Sequence, residues 1–283
     1  MNKFPVIYKA NQFSVFSSFK LWKNIIPNLI LYKSLIKELL KADLVSEFKK
    51  SYLGQSWLII NPLINLVIWL LLKKSGIFHP GETAISYPLY LLLSLTLWGV
   101  FTGFCETIGN SITQNSRILN EVGLPMEVLA VTKILVTVVN FCISIGLCLI
   151  FIIISGFRFM PESLLFLPTL LPLFLFGISL GLILSLIEVI MNDVYIFFKR
   201  SLKILMYITP VVFSHKIESV FLQNLMKYNP LTQFIVVPRN FFLLGKTENL
   251  NTFFWHSAIV LICFFAVVQI YLITAKKLVE KTF

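Results

Sequence analysis

Between Lys133 and Arg158, and again between Glu162 and Glu188, the chain runs without a single charged residue. A bilayer core about 30 Å thick takes roughly 20 mostly apolar residues of helix to cross. Each run is long enough to do so. The composition leaves no other home for them: 57% of residues are hydrophobic, 13% are charged and mean hydropathy is +0.86, against about 45–50% apolar and 25% charged in soluble domains. A water-surrounded core could not enclose that much apolar surface.

The same reading along the chain predicts an all-α integral membrane protein with six spans, at about 57–78, 87–108, 128–155, 164–190, 202–213 and 253–275. The fifth is short and ends near Pro210, with Lys199, Arg200 and Lys203 placed to snorkel toward head groups and lengthen it. A seventh apolar stretch, 221–244, is interrupted by Lys227, Pro230, Pro238 and Arg239, which speaks against a continuous lipid-facing helix. It is expected to be re-entrant or interfacial, with Pro230 and Pro238 marking its breaks.

Residues 1–56 form an N-terminal region expected in the cytoplasm. Within it Ile36, Leu40, Leu44 and Phe48 recur every fourth residue beside Leu35 and Leu39, while Lys33, Lys37 and Lys41 take another face. That period predicts an amphipathic helix over 32–50 lying in the membrane interface, although a helix packed on soluble protein would show it too. The start of the chain has neither a compact apolar core nor a small-residue cleavage site, so no signal peptide is expected to be removed.

The net charge of +11 does not point to nucleic acid in such a chain, because membrane proteins gather Lys and Arg on cytoplasmic segments. Six spans from a cytoplasmic N-terminus place most of the basic residues inside, together with the tail 276–283 and its Lys276, Lys277 and Lys281. Lys73 and Lys74 fall outside, mildly against the rule. No repeat or linker divides the sequence, so residues 57–275 read as one membrane domain.

No catalytic, metal or cofactor site emerges. Gly245-Lys246-Thr247 copies the end of a phosphate-binding loop, but Asn240 stands where its first glycine belongs. His79, His215 and His256 are isolated, and Cys105, Cys142, Cys148 and Cys263 lie inside apolar runs as buried small hydrophobes. Glu106, Glu121, Glu127, Glu188 and Asp193 map to span ends or loops and not to a proton relay.

Other residues point to packing and to a path. Gly99 and Gly103, and Gly177 and Gly181 followed by Ser185, put small residues on helix faces, serving contacts within the chain or between copies of it. Asn61 and Asn65, with Trp69 one turn on, place amides and an aromatic on one face of the first span. Amides in lipid are costly, so this face should meet protein or a hydrated path. Most of the aromatics, 27 of them Phe and with Trp57, Trp98 and Trp255 near span ends, read as lipid-facing belts, and a minority could line a route for a sugar chain. Residues 111–127, polar and containing Arg117, Glu121 and Pro125, are either an ordinary loop or a short helix that docks on a partner.

Tyr52-Leu53-Gly54 followed by Trp57 and Asn61-Pro62, residues 118–128 with Pro125 and Glu127, Asn192-Asp193, Pro210-Val211-Val212-Phe213, Asn229-Pro230-Leu231-Thr232 and Leu243-Leu244-Gly245 follow one another in order. Over about residues 35–275 this series resembles the ABC-2 type permeases that export polysaccharides. The chain departs from that pattern at Asn192, where the family commonly has Arg, and at Met126, where it has a basic residue. Both departures bear on partner docking.

The resemblance implies a homodimeric permease in the bacterial inner membrane with both termini cytoplasmic. It implies pairing with two copies of a separate ATPase that holds ATP and Mg, this chain carrying no cofactor. The cargo implied is a lipid-linked polysaccharide, O-antigen first, with teichoic acid, capsule or another lipid or drug as alternatives and a membrane transferase a more distant one. Under this reading Ser111, Arg117, Glu121 and Pro125 couple to the ATPase. Asn61, Asn65, Trp69, Tyr207 and Thr209 line the conduit. Lys49, Lys50, Lys199 and Arg200 form a portal for an anionic lipid head group.

Overall fold

The structure, a computed structural model, describes residues 18–46, 52–77, 79–81, 83, 85–157, 160–213, 220–247 and 250–282, and among these it is helical without strands. Helix α1 (Ser18–Leu31) leads into α2 (Lys33–Ser46) through a single turn residue, Tyr32. The interface helix expected over 32–50 is thus the second half of a longer bent element, and its last residues, 47–50, lie outside the described residues. Leu35, Ile36 and Leu39 turn their apolar stripe to the core, which satisfies the period seen in the sequence by protein contact.

Helices α3 (Trp57–Lys74), α4 (Tyr87–Gly109) and α7 (Met126–Ile154) occupy the first three expected spans. Lys73 and Lys74 sit in the last turn of α3, where cations complement the helix dipole, and Lys73 Nζ lies 4.6 Å from the centre of the Tyr87 ring. Their place against the charge rule therefore has a local compensation. Between α4 and α7, α5 (Ser111–Gln114) and α6 (Ser116–Val122) form a compact loop. Gly123 ends α6 at φ 64°, a backbone region glycine adopts without strain, and Pro125 opens α7 where a missing N–H costs nothing.

The fourth expected span is a 3-10 turn (Pro161–Leu165), α8 (Phe166–Thr169) and α9 (Leu171–Ile190), jointed near Pro168 and Pro172. Helix α10 (Asn192–Ile208) begins ten residues before the fifth span read from the sequence and stops at Pro210, leaving 209–213 as a non-helical turn. Among the described residues five helical segments are long and apolar enough to cross a membrane, and α10 is not one of them. Next come α11 (Val220–Tyr228) and α12 (Pro230–Leu244), broken at Asn229, whose side chain caps α12 by accepting from the Leu231 N–H. Helix α13 (Leu250–Thr282) closes the chain and runs past the expected end of the last span.

The core is built on α4, packed between α7 and α9, with α13 against the far side of α9. Leu93, Leu97, Phe101, Phe104 and Ile108, three or four residues apart on α4, have almost no exposed surface. Phe101 stacks on Phe176 at 5.7 Å, and Phe174 meets Phe104 and Phe141 edge-on at 5.2 and 5.4 Å, geometries that suit ring quadrupoles. This contact is close because α9 offers glycine: a Cβ on Gly181 would stand 2.5 Å from the Phe104 carbonyl oxygen, and one on Gly177 3.1 Å from the Phe104 ring. The Gly177/Gly181 face is therefore consumed within the chain, whereas Gly99 faces open space.

Candidate functional site

The end of the bundle that carries α5 and α6 can be called the loop end. There Ile112, Leu119, Leu124 and Met126 are buried beneath the loop, and the Tyr271 hydroxyl on α13 donates to the Met126 carbonyl at 3.4 Å. The opposite surface of α6 is polar. Arg117 and Glu121 pair one turn apart at 2.9 Å with both side chains largely in solvent. The loop is thus an anchored plate with a charged outer face. Thr113 donates to Glu188 at the end of α9, a second tie from plate to core.

Two ion pairs lie beside this plate. Lys133 on α7 holds Asp43 on α2 at 2.7 Å, with the lysine side chain only 7% exposed and the aspartate 27%. Lys199 on α10 holds Glu106 on α4 at 3.0 Å. All four line a polar cavity of about 300 Å³, with Asn110 and Gln114 also in its wall. Nearby, Asn28 on α1 donates to buried Glu127 at 2.6 Å. The N-terminal helices are therefore fastened to α7 by polar contacts as well as by apolar area.

At the other end of the bundle, Arg239 on α12 is buried, 1% exposed. Its Nη1 donates to the Ser94 hydroxyl at 2.9 Å and to the Pro210 carbonyl at 2.7 Å, and its guanidinium carbon lies 3.9 Å from the centre of the Tyr90 ring. Tyr90 donates to the carbonyls of Pro210 and Phe213, and Tyr87 to that of Val212. These donors satisfy the carbonyls that 209–213 frees by leaving the helix, which buried backbone requires. From the sequence Arg239 had only the reading of a topological charge and a helix breaker. Its cluster joins residues more than a hundred positions apart, so no local spacing announces it.

The face of α3 is bare. Asn61 and Asn65 are exposed, as are Leu63, Ile64, Val67, Ile68 and Leu71, and of this helix only Leu66 is buried. Trp69 meets Tyr207 on α10 edge-on at 6.2 Å, so α3 and α10 approach each other near their C-terminal ends. On α10, Phe197, Arg200, Lys203, Ile204 and Tyr207 are exposed. Both helices expose apolar surface, with two amides on α3 and a phenol and two cations on α10.

Of the residues singled out from the sequence, Trp69 and Tyr207 come into contact and Asn61 and Asn65 share their helix face. Thr209 is fully buried, accepts from Asn229 Nδ2 at 2.9 Å and donates to the Leu205 carbonyl, so it offers no surface to a conduit. Ser111 is likewise fully buried beneath the plate and offers none to a partner, while Pro125 is half-buried. Lys199 is paired to Glu106, and Arg200 is exposed beside it. Lys49 and Lys50 lie outside the described residues, as does His215. Pro230 opens α12, and Pro238 lies buried inside it. Gly245 ends α12 at φ 65° instead of opening a helix, the wrong polarity for a phosphate-binding loop.

The ABC-2 type transporter family model matches residues 35–243, from α2 to the last turn of α12. The chain belongs to that family. Like other ABC-2 chains it is a transporter membrane subunit and crosses the membrane several times. It is similar to two O-antigen export system permease proteins named RfbA from Klebsiella pneumoniae, at 24% and 22% identity over 221 residues, which covers 77% of this chain and 83% of each relative. A third RfbA, from Myxococcus xanthus, is 23% identical over 189 residues, 67% of this chain and 72% of the relative. The ABC-2 match contains both the plate and the bare α3–α10 face.

Proposed function

We propose that this ABC-2 chain is the permease half of an exporter that moves a lipid-linked polysaccharide, O-antigen by the names of its relatives, across the bacterial inner membrane. The observation that carries the reading is the bare face of α3 and α10. A span with two exposed amides is unstable against lipid, so a second copy of the chain covers it and encloses a path for a polymer too long to be held in a closed cavity. Asn61, Asn65, Trp69 and Tyr207 line that path. Teichoic acid, capsule or a small lipid or drug would need the same face; the relatives' names favour O-antigen.

In this reading α10 completes six spans despite its length, its basic residues Arg200 and Lys203, midway along the helix, snorkelling toward the head groups. Helices α11 and α12 dip into the membrane from outside, since both their neighbours, the 209–213 turn and the start of α13, sit at the end opposite the plate. Both termini then face the cytoplasm, the tail 276–283 included, and residues 57–275 act as one domain. Arg117 and Glu121 on α6 meet one of two copies of a separate ATPase, which carries ATP and Mg. ATP-driven closure of that partner moves the plate, and the plate biases a two-state core through the α9 and α13 ties. Lys49, Lys50, Lys199 and Arg200 favour the approach of an anionic lipid head.

The test is reconstitution of the chain with its ATPase in proteoliposomes loaded with lipid-linked glycan. ATP-dependent glycan transfer is expected in the parent, and Arg117→Glu should leave ATP hydrolysis in place while transfer falls at least tenfold. Transfer that ignores the substitution would remove α6 from the drive. Hydrolysis by the isolated chain would end the reading altogether.

A further inference from the structure

The polar cavity at the loop end carries an inference that rests on the export reading for its ligand and goes beyond it in mechanism. Its walls come from α2, α4, α5, α7 and α10, and the ion pairs Asp43–Lys133 and Glu106–Lys199 span two of the gaps between them. At about 300 Å³ it is as large as the smaller ordinary ligand sites, roughly 300–1,000 Å³. Helix-packing voids in an apolar protein are seldom lined by two cations, two anions and two amides. We propose that this cavity is a docking subsite for the phosphate-ester head group of the lipid anchor, which displaces Asp43 and Glu106 from the two lysines.

The asymmetry of burial supports displacement. In the first pair Lys133 is nine-tenths buried and cannot follow a partner outward, whereas Asp43 is 27% exposed and can turn to water; in the second pair Lys199 and Glu106 are both close to half exposed, and Glu106 is free to turn away. Two ammonium groups match a diphosphate ester in charge and in hydrogen-bond sense. While the site is empty the carboxylates keep it neutral, which spares the membrane interface an uncompensated buried charge. The half-exposed Glu106–Lys199 pair contributes little net stability, and in the buried Asp43–Lys133 pair desolvation offsets much of the attraction, so a multivalent anion outcompetes both carboxylates.

Displacement also has a mechanical result. The Asp43 pair fastens α2 to α7, and the Glu106 pair fastens α10 to α4. A head group that takes both lysines opens both fastenings, releasing the interface helix and the helix that borders the bare face. Cargo arrival thereby shifts the conformational balance by its preference for the unfastened state.

The experiment uses the chain with its ATPase in phosphatidylcholine nanodiscs and follows binding of farnesyl pyrophosphate, farnesol and inorganic pyrophosphate. Farnesyl pyrophosphate should bind the parent, with Lys133→Gln and Lys199→Gln each weakening it at least tenfold and Asp43→Asn tightening it severalfold. Opposite effects from the two members of one ion pair are what a merely structural pair would not give. The exchange Asp43→Lys with Lys133→Asp should restore the parent's melting temperature, so that lost binding in Lys133→Gln is not misfolding. Equal weakening by Asp43→Asn and Lys133→Gln, or farnesol binding as well as its pyrophosphate, overturns the subsite. Inorganic pyrophosphate binding as tightly as the lipid overturns the lipid assignment in favour of a soluble anion. Glycan transfer by the parent without head-group binding sinks the subsite alone; binding without transfer sinks the export reading and leaves the subsite standing.

Discussion

Helices α3 and α4 are consecutive, nearly equal in mean hydropathy and opposite in environment: 6% of the most apolar stretch of α3 is buried within the chain, and 72% of that of α4. Hydropathy says only that both leave water. What separates them is what faces what. Helix α4 sets Phe101, Phe104 and Ile108 against the glycine face of α9, and its hydroxyls at Tyr87, Tyr90 and Ser94 find partners. Helix α3 buries only Leu66 among the described residues and leaves branched aliphatics and two amides exposed. In a membrane the apolar surface carries no penalty, and the amides do. The difference therefore divides the molecule into a core that is finished in one copy and a face that is not.

If α4 is the finished side, damage there should register as lost protomer stability. Arg239→Ala removes the donors to Ser94 and Pro210 and leaves a void against the Tyr90 ring. It should cost about 3–5 kcal/mol, read as a lower melting temperature in detergent with the 209–213 turn becoming susceptible to protease. Gly181→Ala comes next. Its new methyl meets the Phe104 carbonyl and Ile108, backbone and branched carbon that cannot give way cheaply, and overpacking of this kind costs about 1–3 kcal/mol. Gly99→Ala is the counterpart, on α4 itself and away from the α9 contact. With nothing within 4 Å of its Cβ it should gain about 0.5–1 kcal/mol through helix propensity. A loss at Gly99 as large as that at Gly181 would show that the two faces of α4 are equally filled, and the division would fail.

The finished side was also the harder one to read in advance. Runs such as 134–157 declare a membrane helix through the absence of charge, and Gly123 and Pro125 mark the join of α6 and α7 through backbone preference; both signals are local. Helix α1 escaped because mixed polarity and Pro27 hide a helix whose apolar contacts, such as Trp22 against Phe265 at 5.5 Å, come from the other end of the chain. The fifth span was displaced because apolar residues 209–213 were counted as helix. Their carbonyls are in fact claimed by Tyr87, Tyr90 and Arg239. In the candidate site, the four-residue spacing of Asn61 and Asn65 placed them on one face correctly. The pairing of Lys133 with Asp43 and of Lys199 with Glu106 depends on tertiary distance that no spacing encodes.

The smallest expected change in stability falls on α3, and it decides the most about function. Asn65→Leu replaces an exposed amide by an exposed alkyl group on a helix that packs little within the chain. Surface substitutions of this kind stay within about 0.5 kcal/mol, so the melting temperature of the protomer should not move beyond error. Association with a second copy should hold as well, because added apolar area does not oppose helix contact. A hydrated path, however, loses an amide that a sugar hydroxyl could use, and water leaves a constriction lined by leucine more readily than one lined by asparagine. Glycan transfer should therefore fall while assembly and ATP hydrolysis persist. Undiminished transfer would take Asn65 off the path, and a drop in melting temperature comparable to that of Gly181→Ala would mean that α3 is as finished as α4.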